Sequence, residues 1–157
     1  MASKILLAVD NSKFSLKAVK YAVKTLKSDS MVTMLTVLPD PMAACGLDGP
    51  SLAPIFKKNA KTFCVIGDAK KAAMEGFMEE AKKLFVAAGF SPKNIAIRIR
   101  KKKTGISRDV LREAKRGKYD TIVMGRRGLT GIKQFVAGSI TNKMFHFAKD
   151  ITLVVVE

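Results

Sequence analysis

Four short apolar runs, at residues 4–9, 31–38, 121–124 and 151–156, lack the in-and-out alternation of a half-solvated strand. Such a run needs apolar surroundings on both faces, which a parallel sheet covered by helices supplies. The intervals between them carry helical spacing. Ser12 can cap a helix in which Ala18, Val19, Ala22, Val23 and Leu26 share a face. Met74, Phe77, Met78, Ala81, Leu84, Phe85 and Ala88 trace a second stripe, and Gly89 follows where a left-handed residue commonly ends a helix. Residues 105–117 place Val110, Leu111 and Ala114 inward, and residues 139–148 place Ile140, Met144 and Phe147 on one face. A fifth run, residues 95–100, alternates isoleucines with Ala96, Arg98 and Arg100 and predicts a strand at a sheet edge. The order β-α-β-α-β-α-β-α-β predicts an α/β protein: an open parallel sheet with helices on both faces and right-handed crossovers.

Residues 39–69 are the least legible stretch. Pro39, Pro41, Gly46, Gly49, Pro50 and Pro54 interrupt regular structure, with room for a short helix near Ile55 to Val65 before regular spacing resumes near Ala69. A connection this long reads either as a lid over a site or as a plain crossing segment. With 157 residues and 48% apolar content, the chain suits one domain over 1–157. Its first apolar run is too short for a secretory core, and no run approaches the ~20 residues of a membrane span. Cys45 and Cys64 have neither metal-ligand nor Cys-x-x-Cys spacing. They read as reduced thiols, and the expected compartment is the cytoplasm.

Charge is the unusual feature of the composition: 29 basic residues against 13 acidic ones give +16. That field attracts polyanions and says little about fold. Lys13, Lys17, Lys20, Lys24 and Lys27 follow helical spacing and read as a solvated helix face. The denser run from Arg98 to Lys103 reads as a charged strand or as a strip contacting phosphates. Nucleic-acid binding by that strip would be non-specific. No aromatic platform interleaves it, since Trp is absent and Tyr21 and Tyr119 lie far off in sequence.

The motif that carries chemistry follows the fourth strand. Gly125-Arg126-Arg127-Gly128 is separated by nine residues from Gly138-Ser139. Glycines between a strand and a helix let backbone N–H groups approach phosphate oxygens closely. No Gly-Lys-Ser/Thr closes the loop as in a Walker A motif, and no Gly-x-Gly-x-x-Gly is present. Ser139 reads as a helix cap or as a hydroxyl donor to phosphate. In an open parallel sheet, ligands bind beyond the carboxyl ends of the strands. Asp10, Val37 and the glycine loop would converge there.

The spacing Gly-x2-Gly-x9-Gly-Ser resembles the nucleotide loop of the ATP-binding branch of the universal stress protein family. Val9-Asp10-Asn11-Ser12 resembles that family's Val-Asp-x-Ser opening, and residues 153–156 resemble its last strand. The likeness runs from Ile5 to Val156. It implies a single universal stress protein domain with a Rossmann-like, adenine-nucleotide alpha-hydrolase-like sheet of strand order 3-2-1-4-5. It also implies bound ATP, with Mg or Mn carried by the nucleotide. On this likeness Ala8, Val9 and Asp10 close the first strand, with Asp10 near ribose, phosphate or metal. Val37 offers main-chain hydrogen bonds to adenine. Met124, Gly125, Gly128, Gly138, Ser139 and Ile140 line ribose and phosphates. Arg126 and Arg127 stand where many relatives carry one basic residue, reaching phosphate or solvent. Lys149-Asp150 replaces the Cys-Pro that the family often places before its last strand. A homodimer joined through residues 151–156 is implied as well.

No dedicated catalytic base stands out. His146, the single histidine, lies between phenylalanines and reads as a packing or surface residue. The expected function is a nucleotide-dependent switch or stress-response module with slow or no hydrolysis. A nucleic-acid or polyanion scaffold is the alternative. An adenylating enzyme would carry its phosphate loop near the first strand, and this chain has none there.

Overall fold

Both faces of the three central strands are covered, as the non-alternating runs require. The computed structural model describes residues 2–10, 12–38, 54–126 and 139–157. Its strands are β1 (Lys4–Ala8), β2 (Met31–Leu38), β3 (Ile95–Lys101), β4 (Thr121–Gly125) and β5 (Thr152–Val156). Its helices are α1 (Lys13–Thr25), α2 (Pro54–Ala87), α3 (Ile106–Arg116) and α4 (Ser139–Phe147), with a short 3₁₀ turn over Pro92–Asn94. Every pairing is parallel and the sheet order is β3-β2-β1-β4-β5. This is the expected 3-2-1-4-5 sheet.

Strand alternation divides the core in two. Ile5, Leu7 and Val9 pack with Val32, Met34 and Val123 against α1 and α2, which contribute Ala18, Val19, Ala22, Met74, Met78, Ala81 and Phe85. Leu6 packs with Leu35, Val37, Ile122 and Met124 against α3 and α4, which contribute Val110, Leu111, Ala114 and Met144. At the β3 edge, Ile95, Ile97 and Ile99 turn toward the first core while Arg98 and Arg100 are exposed. Gly89 ends α2 with a φ of +94°, and the next residue, Phe90, donates its N–H to the Phe85 carbonyl at 3.1 Å. The rings of Phe85 and Phe90 then meet edge to face at 5.1 Å.

Three sequence expectations are corrected. Residues 54–87 form one helix of 34 residues, not a short helix followed by another. Proline at a first helical position sacrifices no hydrogen bond, because that N–H has no partner in any helix. Pro54 therefore starts α2, and the helix continues through Gly67. Leu84 is 40% exposed although it belongs to the predicted stripe. Phe147 is 55% exposed, because the inward line of α4 runs through Thr141 and Met144 and continues to Ala148 just past its end. The suggested lid falls largely on residues 39–53, which with Cys45 lie outside the described residues.

Candidate functional site

The sheet order places a switch point beside β1. The chain winds outward through β2 and β3 on one side, then through β4 and β5 on the other. Ala8 is in register with Leu35 of β2 and with Met124 of β4. The ends of β1 and β4 therefore lie side by side where connections part to opposite faces, which is where such sheets bind ligands.

Short hydrogen bonds tie α1 to the end of β1. Val9 donates its N–H to the Leu35 carbonyl at 2.9 Å, extending the line of β1. The Asp10 Oδ1 accepts from the Ser12 N–H at 3.0 Å and from the Ser15 hydroxyl at 2.8 Å. Ser15 Oγ accepts in turn from the Asp10 N–H at 2.8 Å. Ser12 caps the helix as expected, its Oγ accepting from the Ser15 N–H at 3.1 Å. Both serines are buried. Ser15 is a residue the sequence reading missed; the signal that could have found it is a second serine three positions after the cap.

Gly125 has a packing role that the motif alone does not contain. A Cβ there would lie 2.7 Å from the backbone carbon and oxygen of Phe14. Only a residue without Cβ lets the first turn of α1 approach the end of β4 so closely. One residue on, Arg126 donates its N–H to the Val156 carbonyl at 2.8 Å, and its carbonyl accepts from Thr141 Oγ1 at 2.9 Å. Its guanidinium pairs with the Glu157 carboxylate. Thr141, 1% exposed, thus fastens the first turn of α4 to the end of β4. No local sequence pattern marks Thr141 or Glu157 for these contacts.

Two helix N-termini, those of α1 and α4, consequently stand at the ends of β1 and β4. Each carries roughly half a positive charge from its aligned peptide dipoles. Beside them, Val37 and Met124 are buried in the core under α3 and α4, with Ala8 and Ile140 packed against the same core. Val9 lies on the opposite face of the sheet. Ser139 opens α4, and Asp10 and Arg126 flank the strand ends. Arg127, Gly128 and Gly138 lie outside the described residues. Among the described residues, no three His, Cys, Asp or Glu side chains gather as a metal cluster, and His146 is exposed on α4. No helix of the described residues is long and apolar enough to cross a membrane.

This architecture defines a doubly wound α/β protein with its switch point between β1 and β4. The universal stress protein family model matches residues 1–156, and the chain belongs to that family. Among solved structures, universal stress protein UspA from Lactobacillus plantarum is similar at a TM-score of 0.77 and 20% identity, over 99% of this chain and 97% of that one. The hypothetical protein MJ0577 is similar at a TM-score of 0.72 and 24% identity, over 99% and 96% of the two chains. A universal stress protein solved in complex with cAMP is similar at a TM-score of 0.64 and 20% identity, over 99% and 97%. No curated protein matches the chain.

Proposed function

We propose that this chain binds an adenine nucleotide, ATP by its loop motif, at the β1–β4 switch point and works as a nucleotide-dependent switch or stress-response module. The observation that carries the reading is the meeting of two helix N-termini with the ends of β1 and β4. A phosphate beside one such terminus gains ~0.3–1 kcal/mol when exposed and up to ~2 kcal/mol when partly buried. The adjoining residues Ala8, Val37, Met124 and Ile140 supply the apolar surroundings that a purine ring requires. The relative solved with cAMP supports the same ligand class.

On this reading Val37 offers its main chain to adenine, and Ala8 and Val9 close the first strand beside it. Met124, Gly125, Gly128, Gly138, Ser139 and Ile140 receive ribose and phosphates. Asp10 faces ribose or a Mg or Mn ion carried by the nucleotide. Arg126 or Arg127 supplies a cation for the phosphates; the guanidinium of Arg126 also pairs with Glu157. Hydrolysis is slow or absent on this reading, since the sequence marks no dedicated catalytic base.

Thermal unfolding with Mg-ATP, compared with CTP at salt high enough to screen the basic surface, tests the site. At 100-fold saturation a specific ligand adds ~2.7 kcal/mol, a rise of roughly 5–10 °C for a chain of this size. The shift is expected with ATP, absent with CTP and lost in Gly138→Asp, which puts a carboxylate where phosphate is expected. Equal small shifts that vanish with salt would refute it. Turnover above ~1 per second, within the ordinary enzyme range, would refute the switch reading while leaving the site.

A further inference from the structure

We infer that β3, the turn after it and the outward face of α3 form a second binding surface, for the phosphate backbone of duplex nucleic acid, independent of the nucleotide site. Between residues 98 and 118 there are ten basic side chains and two acidic ones, a net +8 that is half of the +16 carried by the whole chain. Among the described residues, Arg98, Arg100, Lys101, Lys102, Lys103, Arg108, Arg112, Lys115 and Arg116 are all exposed. Arg108, Arg112, Lys115 and Arg116 fall at helical spacing on α3, turned away from the buried Val110, Leu111 and Ala114.

The strand, turn and helix are linked into one surface. Arg98 pairs with Glu113 of α3. Asp109 accepts from the Lys103 N–H at 2.7 Å and from Arg112 at 3.2 Å, and Arg112 also donates to Thr104 Oγ1 at 3.2 Å. Both carboxylates of the segment are thereby engaged in holding cations in place. Ordinary structural needs explain only part of the charge. Lysines on an edge strand discourage edge-to-edge pairing, and Lys115 and Arg116 suit the C-terminal end of a helix dipole. Arg108 has neither excuse, since it stands in the first turn of α3, where the dipole disfavours a cation.

The chemistry of the patch selects its partner. The exposed large apolar side chains among the described residues are Leu16, Tyr21, Met31, Leu84, Val86, Phe145 and Phe147, none of them on β3 or α3. A lipid surface or a protein partner would be expected to use an apolar or aromatic anchor, and single strands need aromatic stacking platforms. Charge alone suits a duplex backbone, and the five arginines present planar forks that match phosphate.

Fluorescence anisotropy of a labelled B-form duplex of about 20 base pairs, from about 50 to about 200 mM salt, tests the proposal. Roughly six phosphate contacts give a log–log salt slope near −5 and about a 10³-fold loss of affinity over that range. The triple variant Arg108→Gln, Lys115→Gln, Arg116→Gln should make the slope shallower by about 2.7. Lys101→Gln with Lys102→Gln should do so by about 1.8 without touching α3, guarding against a helix-specific artefact. The charge-matched control Lys17→Gln, Lys20→Gln, Lys24→Gln on α1 should leave the slope unchanged. An equal loss in the control would reduce the effect to diffuse charge and overturn the proposal. Displacement of the duplex by phosphatidylserine vesicles or polyglutamate as readily as by unlabelled duplex would also overturn it.

Discussion

Gly125 and Ser15 hold the first turn of α1 against two strand ends, and each does so through a single atom or its absence. In Gly125→Ala the added carbon meets the Phe14 backbone at 2.7 Å, so α1 must shift as a body. The expected cost is ~1–3 kcal/mol, read from the urea midpoint. Ser15→Ala removes both the donor to the Asp10 carboxylate and the acceptor for the Asp10 N–H. Losing these partners should cost ~1–3 kcal/mol by the same measurement. An unchanged midpoint in both variants would show that this turn is not anchored as described. Ser12 was legible as a cap because it precedes an amphipathic stripe. Ser15 was not, because a serine inside a helix usually faces solvent, and here a tertiary neighbour claims it.

The turn between β3 and α3 is organised by one carboxylate. Burial alone would push the Asp109 pKa up, but hydrogen bonds from the Lys103, Thr104 and Gly105 N–H groups and the Thr104 hydroxyl outweigh it and hold the pKa below its ordinary value of 3.8. A carboxylate with a lowered folded-state pKa stabilises the fold above its unfolded-state pKa, and that contribution disappears as pH falls through the folded value. The stability difference between the parent chain and Asp109→Asn should therefore be constant above about pH 5 and shrink below about pH 4. Urea titrations across that range check it; a difference independent of pH would remove Asp109 from its role. The helix itself was legible from Val110, Leu111 and Ala114. Helix α2 was not, because Pro54 reads as a breaker, although a helix accepts proline at its first position.

At the scale of the molecule, β5 is an edge strand whose residues Leu153 to Val156 are all only half-buried. Phe145 and Phe147 on the neighbouring α4 are 58% and 55% exposed. An apolar strand left open at a sheet edge invites pairing with another chain. A homodimer through residues 151–156 is the proposed assembly. Light scattering at micromolar concentration should give twice the 17.1 kDa chain mass, and Val154→Lys should halve it. A parent chain that runs as a monomer would rule the assembly out.

Periodicity alone determined the five strands, most of the helices and the covered, parallel character of the sheet, because burial on one or two faces writes itself into local residue order. It also marked Asp10 and Gly125 as belonging to one end of the sheet. The return of the chain to the far side of β1 was implied only by the family likeness, since alternating strands and helices do not say on which side a strand is added. The contacts of Phe14 with Gly125, of Thr141 with Arg126 and of Arg126 with Glu157 were decided by tertiary structure alone. Each joins residues from different elements, and a local pattern records that a side chain needs a partner without recording which partner the fold delivers.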